Sequence, residues 1–330
     1  MITAASTPRV LVTGGAGFIG SWLVEALLAA GFSVRVLDDL STGRRENLPD
    51  SVELIVGDVL DAEALEGACA GMDGVFHLAG VVGMRLAHTH KNYSYRVAVE
   101  STERLLGFFD GPVVLASSSA VYGLTDDTAV AEDFPITDDS VRRYDGDEVG
   151  YALGKWHMED RALRAVAKGH KVMVLRPFNV VGPRQTGTYG MVVPTFVKLA
   201  LAGAPLVIHD DGLQTRCFGH VRTFVDAVLG LAANPASWVP GQNVVNIGND
   251  QPVSILELAR VVGEEVGTEL HLEFVPYGEV FPGRRDVRDR RPDSRRLEQL
   301  LGRAPSWPDM SEVVRDILAD LRASGEDRSL

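Results

Sequence analysis

The stretch Arg9-Val10-Leu11-Val12-Thr13-Gly14-Gly15-Ala16-Gly17-Phe18-Ile19-Gly20 constrains the fold of this chain most. Val10 to Val12 is an apolar run of the kind that a strand buried on both faces needs. Ser21 to Ala30 reads as a helix, with Trp22, Leu23, Ala26, Leu27 and Ala30 on one face and Gly31 as its stop. Strand, glycine turn and helix, in that order, is the setting in which G-x-x-G-x-x-G holds a dinucleotide. Gly14 suits a tight turn, Gly17 lets backbone approach a pyrophosphate, and Gly20 lets the helix lie close to the strand. The N–H groups at the helix start then face the anion.

The pattern continues. Ser33 to Leu37 reads as a second strand ending at Asp38-Asp39. Asp38 lies near the ~20-residue spacing at which an acid meets the adenosine ribose. A carboxylate there accepts from the 2′-hydroxyl and repels a 2′-phosphate, which selects NAD over NADP, although Arg44 and Arg45 pull the other way. Val52 to Val56 is a third strand. Asp58 after it either reaches the adenine amino group or caps a helix over Asp61 to Ala70. Val75 to Gly80 is a fourth strand that runs into small residues, so Leu78, Ala79 and Gly80 are expected beside a cofactor. His77 on that strand reads as a satisfied core histidine rather than a base.

Tyr95 to Phe109 has a helical pattern, and Val113 to Ala116 is a fifth strand opening into Ser117-Ser118-Ser119. Leu124 to Val149 is acidic, lacks periodicity and reads as a solvated loop. Tyr151 to Lys168 is a helix and Lys171 to Leu175 a sixth strand. Further helices fall at Val193 to Leu201, Thr223 to Ala233 and Ser254 to Gly263, the last with Ser254 and Glu257 as a capping box. This alternation predicts an α/β fold, a Rossmann-type doubly wound parallel sheet over residues 1–183. A smaller C-terminal α/β lobe over 184–330 would hold the substrate, with part of 215–250 crossing back.

Composition narrows the partners. A net charge of −13 argues against nucleic acid. No apolar run reaches the ~18 residues of a membrane span, and Met1 to Pro8 lacks the features of a signal peptide. Cys69 and Cys217 are the only cysteines and form no CxxC pair. A cytoplasmic protein with neither a disulfide framework nor a metal site is expected.

Tyr151 and Lys155 stand at i and i+4 on one helical face. A free tyrosine titrates near ~10 and is a poor base at pH 7. A neighbouring ammonium, joined by the positive nicotinamide of NAD, stabilises the phenolate and makes it one. Ser118, just past the fifth strand, can donate to the substrate oxygen whose charge changes, and Ser119 lies beside it.

The chain thus resembles the extended short-chain dehydrogenase/reductase superfamily, in its nucleotide-sugar epimerase, dehydratase and decarboxylase branch. The resemblance rests on Thr13 to Gly20, Asp38 with Leu40 to Gly43, Gly57-Asp58-Val59, His77 to Ala79, Ser117 to Gly123 and Tyr151 with Lys155. It continues through Arg176 to Arg184, Gln214 to Arg216, Asn246 to Gly248 and Arg288 to Asp293. It implies NAD contacts at Gly14, Gly17, Phe18, Ile19, Asp38, Asp58, Val59, Leu78, Ala79, Gly80, Tyr151, Lys155 and Phe178. It implies substrate contacts at Ser118, Ser119 and Asn179, at Val193 on the helix that meets the nucleotide, and at Arg216 and Arg288 on the diphosphate. It also implies a homodimer built on the helices near 95–109 and 151–168.

Four positions depart from the family. Dehydrating relatives carry an Asp-Glu pair where Ser119-Ala120 stands, and decarboxylating ones a Glu at Ala120. Ala98 replaces a usual Asn, and Gly154 a usual Ser. The reading drawn first is therefore a NAD-dependent 4-epimerase of a nucleoside-diphosphate sugar, UDP-linked, working through a 4-keto sugar. The alternatives are decarboxylation of UDP-glucuronate, since Gly182-Pro183-Arg184 and Gln214 to Phe218 are similar to decarboxylase-like members, or another reaction through the same 4-keto intermediate, and a NAD(H) sensor or scaffold without chemistry.

Overall fold

The computed structural model describes residues 7–81, 91–125, 129–145, 150–186, 191–281 and 287–325. Seven strands form the main sheet: β1 (Arg9–Thr13), β2 (Ser33–Asp38), β3 (Glu53–Val56), β4 (Gly74–His77), β5 (Val113–Ala116), β6 (Val172–Pro177) and β7 (Val244–Ile247). Their order is β3-β2-β1-β4-β5-β6-β7, and every pairing is parallel. The winding direction reverses between β1 and β4. In such a sheet the crevice for ligands opens at the carboxyl ends of the strands, at that switch point.

The helices follow from which apolar faces need cover. Those of seven residues or more are α1 (Phe18–Ala29), α2 (Ala62–Cys69), α3 (Lys91–Phe108), α4 (Asp138–Asp145), α5 (Tyr151–Ala167), α6 (Val192–Leu201), α7 (Val221–Ala233), α8 (Ile255–Val266), α9 (Arg295–Leu301) and α10 (Met310–Ser324). Alternate residues of β1 point to opposite faces. Val10 and Val12 pack with Leu23 and Leu27 of α1 and Phe224 and Val228 of α7. Leu11 packs with Leu65 of α2, Leu105 of α3 and Met158 and Ala162 of α5. A third core, built by α6, α8 and α10, belongs to the lobe. Short strand pairs flank it, Leu206–His209 with Leu272–Val275 and Thr215–Cys217 with Pro252–Ser254. The lobe is not a continuous tail. The chain returns from it to place α7 and β7 on the sheet, and Leu297 and Leu300 of α9 join the sheet core.

Several local expectations are corrected. α1 starts at Phe18 rather than Ser21, because Gly17 is its N-cap and Ser21 already donates to the Gly17 carbonyl at 3.0 Å. Asp61, not Asp58, caps α2, accepting from the amides of Glu63 and Ala64. The Ser254 hydroxyl accepts from the Glu257 amide at 3.0 Å. The Glu257 carboxylate, however, turns to Arg260, so only half of the capping box forms. Within the acidic 124–149 stretch, Asp138–Asp145 is helical. Asp138 is drawn onto α5 by the Trp156 indole N–H at 3.1 Å, a partner that local pattern does not announce. Within that stretch 126–128 and 146–149 lie outside the described residues, as do 82–90. Among the described residues, no helix is long and apolar enough to cross a membrane.

Candidate active site

The glycine turn is tight enough to need its glycines. Gly14 has φ +68°, and a Cβ on Gly20 would stand 2.1 Å from the Gly14 carbonyl oxygen. Gly17, by contrast, looks outward: a Cβ there would meet only the Gly14 oxygen, at 3.3 Å. No side chain caps α1, and the amides of its first turn have no acceptor within the helix. Asp38 ends β2 and is buried. Its carboxylate accepts from the amides of Ala16 and Leu40, each at 2.9 Å. Burial pushes its pKa up, and those two amides hold it back. Each carboxylate oxygen can accept a second bond. Arg45 is committed to the Leu48 carbonyl at 2.9 Å and to Asp50 at 3.7 Å. Asp58 accepts from the Leu60 amide at 2.8 Å and from the Tyr93 hydroxyl at 3.2 Å, and Val59 behind it is buried.

β4 delivers its small residues to the same place. Leu78 donates to the Thr13 carbonyl at 3.1 Å, and Ala79 to the Thr13 hydroxyl at 3.2 Å. A Cβ on Gly14 would come within 2.9 Å of Ala79, and one on Gly80 within 3.3 Å of Lys155 Nζ. His77 is fully satisfied, with Nδ1 2.8 Å from the Thr13 hydroxyl and Nε2 2.8 Å from the Ser101 hydroxyl. Burial, helped by Lys155, lowers its pKa to about 3. It is a neutral structural imidazole.

α5 begins at Tyr151, so the tyrosine stands half-buried at the mouth and Lys155 one turn deeper. Lys155 Nζ donates to the Ala116 carbonyl at 2.6 Å and lies 6.0 Å from the centroid of the Tyr151 ring. Burial lowers its pKa to about 8, against the charge of Glu159, so at pH 7 it remains an ammonium. Ser118 caps the one-turn helix Ser119–Tyr122 by accepting from the Ala120 amide at 3.1 Å. That bond fixes the oxygen and leaves the O–H free to donate. The sheet edge thus assembles a phenol, an ammonium and a hydroxyl beside the end of β4.

The substrate candidates are scattered. Asn179 is exposed at the end of β6 with φ +34°, its amide nitrogen donating to the Cys217 carbonyl at 3.1 Å. Val193 is buried in the lobe core as the second residue of α6. Arg216 donates to the carbonyls of Thr215 and Val287 at 2.8 and 2.7 Å. Phe178, expected beside the nicotinamide, is 0 % exposed. Its ring packs on Tyr122, with centroids 6.0 Å apart, and has no surface to offer a ligand in this conformation. Arg288, expected on a diphosphate, instead forks onto Asp211 with two 2.8 Å bonds at the surface. The nearby arginine that reaches the serine turn is Arg290, buried and donating to the carbonyls of Ser119 and Gly123. Sequence reasoning missed it, because nothing in the run from 284 to 296 marks one arginine as inward. Glu159 was also missed, yet its i+4 spacing from Lys155 could have shown it. Among the described residues, no cluster of His, Cys, Asp or Glu is set to hold a metal.

A parallel sheet with this switch point, and a Tyr-Lys pair at its carboxyl edge, define a dinucleotide-dependent enzyme. Residues 10–248 match the model of the NAD dependent epimerase/dehydratase family. The chain is 31% identical to the UDP-N-acetyl-alpha-D-glucosaminuronate decarboxylase of Bacillus cytotoxicus, over 91% of this chain and 94% of that protein. It is 35% identical to the UDP-glucose 4-epimerase of Mycolicibacterium smegmatis, over 90% of this chain and 93% of that one. Among solved structures it is similar to MoeE5 in complex with UDP-glucuronic acid and NAD, with a TM-score of 0.78, 31% identity and coverage of 96% and 99%. The chain belongs to the NAD-dependent epimerase/dehydratase family and is an enzyme that modifies nucleotide sugars through a 4-keto intermediate. The residues present fit NAD: an uncapped helix start behind an outward-facing Gly17, a carboxylate at the end of β2, and a glycine against Lys155.

Proposed function

We propose that this enzyme oxidises C4 of a UDP-linked uronic acid of the UDP-glucuronate class, and that the resulting 4-keto sugar loses its carboxylate as CO2. The observation that carries the reading is Lys155 Nζ, held at 2.6 Å by the Ala116 carbonyl and one helical turn from Tyr151. NAD, when bound, supplies a hydride acceptor for C4 and later returns that hydride. Tyr151, as phenolate, takes the C4 hydroxyl proton, and Lys155 holds that phenolate in its charged form. Ser118 donates to the C4 oxygen as charge collects there.

The order of the two readings drawn from sequence is reversed here, for a chemical reason and a comparative one. Once C4 is a ketone, the C6 carboxylate is β to it. The C5–C6 bonding pair can pass into the enolate at C4 and C5 as CO2 leaves, and C5 then takes up a proton. No base has to remove a C5 proton, so the methyl of Ala120 is no obstacle. The uronate decarboxylase of Bacillus cytotoxicus, similar along nearly the whole chain, supports this outcome. Epimerisation at C4 is the second reading. It is favoured by Ala120 itself, which stands where decarboxylating relatives carry a Glu, and by the 35% identity to a UDP-glucose 4-epimerase.

NMR of products after incubation with NAD and UDP-glucuronate separates them. A UDP-pentose with released CO2 supports the first, and UDP-galacturonate the second. If UDP-glucuronate and UDP-glucose both stay unchanged, both readings fall. The same proposal includes a homodimer paired through the outer faces of α3 and α5, which sedimentation of the purified protein tests.

A further inference from the structure

Glu159 is a fully buried carboxylate that the reaction does not use. It lies one turn beyond Lys155 on α5. It accepts from the Ser117 hydroxyl, and from Arg176 through Nη2 at 2.7 Å and Nε at 3.0 and 3.2 Å. Ser117 sits between Ala116, whose carbonyl takes the Lys155 ammonium, and Ser118. Its own amide donates to the Leu175 carbonyl of β6 at 2.7 Å. The carboxylate therefore closes a ring: from α5 through Lys155 to the end of β5, and back through Ser117 to α5. Arg176 fastens this ring to the rest of the sheet, donating to the Tyr122 hydroxyl at 2.9 Å and the Glu132 carbonyl at 3.1 Å. Tyr122 donates in turn to Asn246 of β7 at 2.7 Å. Well-packed apolar residues often serve stability as well as a buried ion pair does, so stability alone does not account for this one.

We propose that Glu159 is a positioning residue: it keeps Lys155 charged and in place, and holds the Ala116–Ser118 turn in register with Tyr151. Around Lys155, β4 presents His77, which stays neutral until about pH 3. β5 presents the Ala116 carbonyl, and α5 presents Tyr151 and Glu159. The negative charge facing Lys155 is thus that of Glu159, and it opposes the fall in pKa that burial causes. Arg176 faces Glu159 on its far side. The proposal rests on the reading of Lys155 as the cation that serves Tyr151.

The chain contains five lysines, so the Cε carbon of Lys155 can be followed by NMR in the NAD-loaded protein, with Lys155→Met giving the assignment. Glu159→Gln should lower the Lys155 titration midpoint by about one unit or more, the usual effect of losing an adjacent opposite charge. The alkaline limb of the activity profile should move down with it. The double variant Glu159→Gln with Arg176→Gln does not strand the Arg176 charge, guards against unfolding, and should show the same direction. Glu159→Asp should hold the midpoint near that of the parent protein. An unchanged midpoint in either folded Gln variant overturns the proposal. A parent protein inactive on nucleotide sugars whose midpoint still falls in Glu159→Gln supports the positioning role and overturns the substrate reading alone.

Discussion

The carboxyl edge of β1, β2, β4 and β5 and the arginine-rich end of the lobe are both expected to handle ligand, yet they are built differently. At the sheet edge each candidate residue ends a strand or follows it within three residues, so topology alone delivers it to the crevice: Gly14, Asp38, Ala79, Gly80 and Ser118. In the lobe the candidates lie on short strands and on a loop. Where a side chain ends there depends on which carboxylate or carbonyl it finds. Arg288 finds Asp211 at the surface, and Arg290, two residues on, finds the serine turn from beneath. A strand end fixes a position through backbone pairing. A long flexible side chain in a charged run is fixed by its partner, which can lie far away in sequence.

If this contrast is real, damage at the sheet edge should abolish chemistry, while damage to the exposed part of the lobe should do little. The largest effect is expected for Tyr151→Phe. Loss of a positioned acid-base group lowers kcat by roughly 10²–10⁴-fold, measured by product NMR at saturating substrate, with NAD still bound. A variant retaining full turnover would move the chemistry away from the edge and break the comparison.

The next effect is on stability, and it also belongs to the edge. His77 has its pKa lowered by burial from 6.5 to about 3 in the folded chain. Between those values the unfolded chain binds more protons, so stability rises with pH across that window. His77 costs nothing above pH 6.5 and draws stability down as pH falls towards 3, by at most about 4–5 kcal/mol at ~1.4 kcal/mol per unit. Thermal melts from neutral to acid pH should show this slope, and His77→Asn should flatten it. An equal slope in the variant would place the acid sensitivity elsewhere.

Legibility in the sequence follows the same divide. The sheet, its winding and the residues at its edge could be read because apolar runs, glycine turns and i, i+4 spacings are local. The fold of the lobe was readable only as class. β7 was expected merely as a segment crossing back, because Val244–Ile247 shows no sign of its pairing with β6. Phe178 was placed by family position and proved to be core, since Tyr122, more than fifty residues earlier, covers its ring. Glu159 was legible and overlooked: Tyr-x-x-x-Lys-x-x-x-Glu puts all three on one helical face.

A smaller effect is expected within the glycine turn. Gly20→Ala places a Cβ 2.1 Å from a backbone oxygen, so α1 must shift, at a cost of about 1–3 kcal/mol. Gly17→Ala meets only one atom, at 3.3 Å. It should leave the melting temperature nearly unchanged while weakening NAD binding, measured by fluorescence titration. Equal losses of stability at both positions would mean that Gly17 is packed rather than open.

The smallest effect is that at Arg288, set against its neighbour Arg290. Arg290→Ala removes donors from the Ser119 and Gly123 carbonyls, and each buried carbonyl left unpaired costs about 1–3 kcal/mol. The melt should fall and kcat with it, because the turn that carries Ser118 loosens. Arg288→Ala breaks an exposed pair with Asp211, a class of contact that seldom matters measurably. Melting temperature and KM should both stay close to those of the parent protein. A rise in KM of about tenfold, the loss of one charge-assisted contact to an anion, would mean that Arg288 leaves Asp211 when substrate arrives. The lobe would then be a region whose side chains are re-partnered by ligand. Its contrast with the sheet edge would become one between a site set before binding and a site completed by it.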